Sequence, residues 1–151
     1  MPKILKNKTY KFVVKNFSFG SLNQDALIEL FRDGRVASHF IEPMLTHWFP
    51  ELQHVKGCKD YDHIDSKKQK YDAKNFTPSG GLKFMPSNQL GSGRKFCYET
   101  TRKHAKELVY ICCDIVDFPK IRVIFRDGEK LLEEYPNATI SKTKRGDLFR
   151  D

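Results

Sequence analysis

Apolar residues return at helical spacing through "SLNQDALIELFRDG", where Leu22, Ala26, Leu27, Leu30 and Phe31 fall on one stripe. Ser21 or Asn23 can cap the start and Gly34 suits a left-handed stop, so the pattern predicts a first helix. A second is predicted from a Ser38 cap to Trp48, with Phe40, Met44 or Leu45, and Trp48 on its apolar side. Pro43 fits best in the first turns of that helix, where a missing amide donor costs little. Upstream, "TYKFVVKNFSF" mixes β-branched and aromatic residues with lysines and reads as a strand or an extended basic arm.

After Pro50 the period drops to near two. "LQHVKG", "CKDYDHID" and "QKYDAKNF" read as three short strands, the last two joined by the polar turn "SKK". "TPSGGLKFMPSNQLGSGRK" is rich in glycine and proline and reads as a loop with room for a short helix. "YETTRKHAKE" has helical residues, and "LVYICCDIV" is a nearly continuous apolar run, as expected of a strand covered on both faces. "KIRVIFRDG" is a further strand and "EKLLEEY" a last helix. The order predicts an α/β (α+β) class, a mixed β-sheet flanked by helices, in a single domain over 1–151. Residues 1–20 are expected as a basic N-terminal arm and 136–151 as a basic tail.

Composition supports a packed core: of 151 residues 39% are hydrophobic, with twelve Phe, against 30% charged. No apolar run approaches the roughly 18 residues that span a bilayer, and "MPKILKNKTYKF" lacks the apolar centre of a signal peptide. Cys58, Cys97, Cys112 and Cys113 form no CxxC pair, and Cys112 and Cys113 point to opposite faces of one strand. No disulfide framework or zinc site is expected, and a soluble, cytoplasmic protein is. The net charge of +8 favours a polyanionic partner, nucleic acid first and an acidic membrane surface second.

The densest charge lies in "CKDYDHIDSKKQKYDAKNF". With the turn centred on Lys67, Asp62 lies opposite Asp72 and Asp60 opposite Lys74, while Asp72 and Lys74 share a face that Ala73 leaves. Two carboxylates across a ladder repel unless a cation sits between them, and Mg²⁺ prefers such oxygen ligands. A metal and a positive group are also what a phosphodiester cut needs. Glu42 on the preceding helix offers a third carboxylate. His63 points away from Asp62, toward the core side.

Asp62 followed by Asp72-Ala73-Lys74 resembles the D…(D/E)xK signature of the PD-(D/E)xK nucleases, the restriction-endonuclease-like superfamily. The resemblance covers roughly residues 36–126. It implies an αβββαβ core, with Asp62, Asp72 and Glu42 as catalytic metal ligands, Lys74 as the catalytic lysine, and Mg²⁺ as cofactor, with Mn²⁺ able to substitute. It also implies a site-specific endonuclease of restriction or homing type that cuts double-stranded DNA as a homodimer; a phage, mobile-element or restriction setting would each suit it. Tyr61 stands where the family often has proline, and Asp60 or Asp65 takes the place of Asp62 if the turn is shifted. "YDHID" also resembles the opening of the HNH nucleases, with His63 as base, Asp62 on the metal, and Asn75 and Asn88 as later positions. CxxC knuckles and a second histidine at the usual distance are missing.

Arg94, Lys95, Ser92 and Asn88 in "SNQLGSGRK" are expected to contact nucleic acid, with Arg102 and Lys103 beside the site on the next helix. Lysines at the N-terminus and in "SKTKRGDLFR" would add salt-dependent affinity. A non-catalytic nucleic-acid-binding protein is the reading from another class. Asp114 and Asp117 receive no role.

Overall fold

The side chain of Asn23 accepts the Ala26 amide at 2.8 Å and opens α1 (Gln24–Phe31), and Asp33 accepts the Arg35 amide at 2.9 Å and opens α2 (Gly34–Trp48). These helices belong to a computed structural model that describes residues 3–57, 60–86, 89, 93 and 95–150. Helix α2 thus starts before the expected Ser38 cap, and Ser38 lies inside it with its hydroxyl on the Gly34 carbonyl. Gly34 does not close α1; it lets α2 approach the sheet, since a Cβ there would stand 3.0 Å from Thr77 Cγ2. Pro43 falls in mid-helix instead of the first turns. Burying Ile41 and Leu45 is worth about 1.5–3 kcal/mol apiece, which offsets the roughly 3 kcal/mol a mid-helix proline costs.

One sheet carries six strands: β1 (Thr9–Val13), β2 (Gln53–His54), β3 (His63–Ile64), β4 (Lys70–Phe76), β6 (Leu108–Asp114) and β7 (Lys120–Asp127). Their spatial order is β1-β7-β6-β4-β3-β2. Only β4 and β6 run parallel, and α3 (Tyr98–Lys106) lies in the crossover between them. The succession α2, β2, β3, β4, α3, β6 is the expected αβββαβ order. The chain is mixed α/β.

All seven residues of β6 are buried. Val109, Ile111 and Cys113 join a core with Ile41 and Leu45 of α2, while Leu108, Tyr110 and Cys112 join a second core on the opposite face. That second core takes in Leu131 and Leu132 of α4 (Gly128–Glu134) and Leu148 of α5 (Arg145–Leu148). The alternation of a strand therefore separates the adjacent thiols, as expected.

The N-terminal stretch takes the strand alternative rather than the arm, and the C-terminal stretch is not the expected tail. Tyr10 and Phe12 of β1 pack on the first core, so this stretch is an edge strand rather than a free arm. Residues 136–151 are not a polar tail either: β8 (Thr139–Ile140) pairs with β5 (Leu82–Lys83), and Ile140, Leu148 and Phe149 are buried. Arg145 holds this segment down, reaching Asp114 at 3.0 Å and Asp117 at 2.7 Å. Asp114, fully buried, also receives Arg122 at 2.7 Å, so its charge is doubly paired. Among the described residues no helix is long and apolar enough to cross a membrane.

Candidate active site

The β3–β4 hairpin pairs His63 with Tyr71 and Ile64 with Lys70, which is the register of a turn centred on Lys67. Asp65 builds that turn. One of its oxygens accepts the amides of Lys67 and Gln69 at 2.9 and 3.0 Å, and the other accepts the Tyr71 hydroxyl at 2.9 Å. Asp65 is thereby engaged in the turn, and the turn is not shifted from Lys67.

Strand β3 contributes only two residues, so beyond His63 the edge of β4 lacks a backbone partner. The Asp62 amide still donates to the Tyr71 carbonyl at 2.9 Å, but the chain then bends away. The Asp62 carboxylate takes over the next rung and accepts the Ala73 amide at 2.9 Å. This places it beside Asp72, the cross-strand relation expected from the sequence. Ala73 packs on the first core, and the other face of β4 presents Asp72 and Lys74 with Nζ and Oδ2 3.1 Å apart.

Burial pushes the Asp72 carboxyl up to about 7; Lys74 opposes the rise, and the Asp62 carboxylate, close enough to share a hydrogen bond, adds to it. Two negative charges at that spacing are costly, which favours the neutral form of Asp72.

Asp62, Asp72 and Lys74 open into a cleft of about 910 Å³. Among the described residues its walls carry five carboxylates, from Asp33, Glu42, Asp60, Asp62 and Asp72, against three fixed cations, from Arg35, Lys74 and Lys83. In a chain of net charge +8, the described walls of this cleft are thus acidic. Such walls repel a phosphate and attract a small cation.

Glu42 lines the same cleft, but its carboxylate stands 3.4 Å from His54 Nε2, and its backbone carbonyl accepts His63 Nε2–H at 3.0 Å. Among the described residues no three His, Cys, Asp or Glu side chains are already gathered to hold a metal ion. The Asp62–Asp72 pair nevertheless fits Mg²⁺, which commonly binds through one or two carboxylates and completes its shell with water and substrate phosphate.

His63 is on the α2 side and fully buried, and burial lowers the pKa of its imidazole. It takes no part in the cleft. Asn75 ties β4 to α2, donating to the Gly34 carbonyl at 3.2 Å. Of the expected nucleic-acid contacts, Asn88, Ser92 and Arg94 lie outside the described residues, and Lys95 is exposed. Arg102 is turned away from the cleft, toward Glu129 of α4 at 3.9 Å, and Lys106 joins it there. Lys103 lines a smaller furrow with Tyr61, Lys70 and His104.

Thr100 and His104 of α3 line the main cleft and were not singled out from the sequence. Their spacing of one helical turn was the available signal. No protein-family model matches the chain, nor does any curated protein or solved structure.

Proposed function

We propose that the cleft is the active centre of a divalent-cation-dependent endonuclease that hydrolyses phosphodiester bonds in double-stranded DNA. The observation that carries this reading is the arrangement of Asp62, Asp72 and Lys74: two carboxylates brought together by a broken ladder, with an ammonium 3.1 Å from one of them. A merely solvated hairpin has no need to bury Asp72 beside a second acid.

In this reading Asp62 and Asp72 hold the cation, with Glu42 within the same cleft to complete the set. Mg²⁺, or Mn²⁺ in its place, supplies the positive charge that neutralises the acidic walls and polarises a bound phosphate. Lys74 orients the attacking water and stabilises the charge that develops on the phosphate oxygens. Asp72 keeps the Lys74 ammonium aimed into the cleft rather than out to solvent. One such cleft cuts one strand, so a double-strand cut is expected from a homodimer with its two-fold axis on the duplex. The restriction or homing setting and a cytoplasmic location belong to the same reading; the buried thiols of Cys112 and Cys113 suit a reducing compartment.

The test is cleavage of supercoiled plasmid and of phage DNA by wild type and Lys74→Ala, with Mg²⁺ and with EDTA. Cutting that disappears in Lys74→Ala and in EDTA is expected. Undiminished cutting by Lys74→Ala overturns the proposal, and salt-sensitive DNA binding with no cutting of any substrate favours a binding protein.

A further inference from the structure

Glu42 stands between two openings. It lines the main cleft with Asp62 and Asp72, and it also lines a smaller pocket that Asp62 shares, with His39, His54 and Lys56. Its carboxylate is committed to the smaller pocket, where Oε2 is 3.4 Å from His54 Nε2.

His54 is placed by the ladder. It pairs with His63 across β2 and β3, with the two rings 5.1 Å apart, and His63 donates to the backbone carbonyl of Glu42 at 3.0 Å. One residue of α2 is therefore touched twice, at its carbonyl by a hydrogen bond from His63 and at its carboxylate by His54 at 3.4 Å. The first contact fixes where the Glu42 backbone sits. The second decides which opening its carboxylate faces, because a long side chain on a fixed backbone changes openings by rotation about its own bonds.

We infer that His54 is a positioning residue that holds the Glu42 carboxylate away from the Asp62–Asp72 pair, so that the cation site is complete only when His54 lets go. This rests on the reading of Asp62 and Asp72 as a cation pair. It accounts for two facts together: Glu42 reaches the cleft wall, yet among the described residues no three acidic or histidine side chains are gathered there. Cation affinity is thereby set by a residue that never touches the cation. Both side chains of the latch are only about a quarter exposed, at 24% for His54 and 25% for Glu42, so the contact is sheltered from solvent.

The experiment measures Mn²⁺ binding to the full chain, without DNA, from the electron paramagnetic resonance signal of the free ion. His54→Phe keeps a ring opposite His63 and removes the polar contact with Glu42, and His54→Ala removes both; thermal melting checks that each folds. Each is expected to bind Mn²⁺ about two- to fivefold more tightly than wild type, the range set by one partly sheltered polar contact. In a Glu42→Gln background the same substitutions are expected to change nothing, which a general loosening of the hairpin would not reproduce.

Unchanged or weaker binding in both His54 variants overturns the inference, and so does tightening that persists with Glu42→Gln. Mn²⁺ uptake that Asp72→Asn abolishes but His54 variants leave alone removes the latch and spares the cation pair. No uptake by wild type removes both.

Discussion

The Asp62 carboxylate accepts the backbone amide of Ala73 at 2.9 Å, standing in for a rung that the two-residue strand β3 does not supply. The same side chain therefore serves the fold and the cleft, and the two roles separate by substitution. Asp62→Ala leaves a half-buried amide unpaired and is expected to cost about 1–3 kcal/mol, less whatever is regained by relieving Asp72. Asp62→Asn keeps an acceptor for the amide and is expected to stay within about 1 kcal/mol of wild type while losing cleavage. Urea unfolding and a plasmid assay read the two effects. An asparagine variant as unstable as the alanine one removes the structural role.

Asp72 gives stability a pH signature. Its folded carboxyl titrates at about 7, above the roughly 3.9 of an unfolded aspartate. Between those values the native state binds the proton that the unfolded state has lost, so this group's contribution to stability is present below the lower value and declines as pH rises toward 7. Wild type is expected to lose stability over that window relative to Asp72→Asn, which has no such proton. Parallel denaturation midpoints for the two proteins from pH 4.5 to 7.5 would show that the carboxyl is not raised.

The same proton must leave when a cation enters. Mg²⁺ binding is expected to release about one proton per ion near pH 6 and fewer near pH 8. Calorimetry in buffers of different ionisation enthalpy measures that number directly. Binding without proton release at pH 6 means that Asp62 and Asp72 are not the ligands.

At the other end of the chain, Phe149 is buried in the second core with its ring edge-on to Phe76, 5.8 Å between centroids. Phe149→Ala is expected to destabilise by about 3–5 kcal/mol, where a substitution in a free tail would cost nothing. Arg145→Ala is expected to be milder, because Arg122 still pairs the buried Asp114.

What could be read from the sequence was what local pattern encodes. Leu27 and Leu45 lie on helical stripes, β6 is an unbroken apolar run, and the polar turn at Lys67 fixes the hairpin register that brings Asp62 to Asp72. What pattern could not encode was pairing across long separations. Leu82 and Ile140 meet in a two-residue ladder, too short to leave a period of two in either segment. Ile140 and the adjacent Leu148 and Phe149 are isolated apolar spots in a polar, mostly basic stretch, so the burial of the C-terminal segment had no local signature. The helix α2 began early because Asp33 caps as well as Ser38 would, and only the contact of Gly34 with Thr77 makes that start fit the sheet. Glu42 had a legible place on α2 but an illegible partner, since His54 reaches it only through the strand pairing with His63.

Helix α3 separates two kinds of lysine, and nucleic-acid binding is expected to do the same. Lys106 and Arg102 share Glu129 of α4, each at 3.9 Å, on the side away from the cleft. Lys103 instead lines a furrow with Asp60 and His104, and those two residues also line the main cleft, so the furrow continues it. A strand whose scissile phosphate lies at Asp72 and Lys74 would carry its neighbouring phosphates along that furrow. Lys103→Ala is therefore expected to weaken binding of a labelled DNA duplex at every sequence tested and to lower the slope of log affinity against log salt by about one. Lys106→Ala is expected to leave both unchanged. Fluorescence anisotropy in EDTA and in Ca²⁺ across a salt series measures both quantities, and equal effects of the two substitutions would place the duplex elsewhere on the surface.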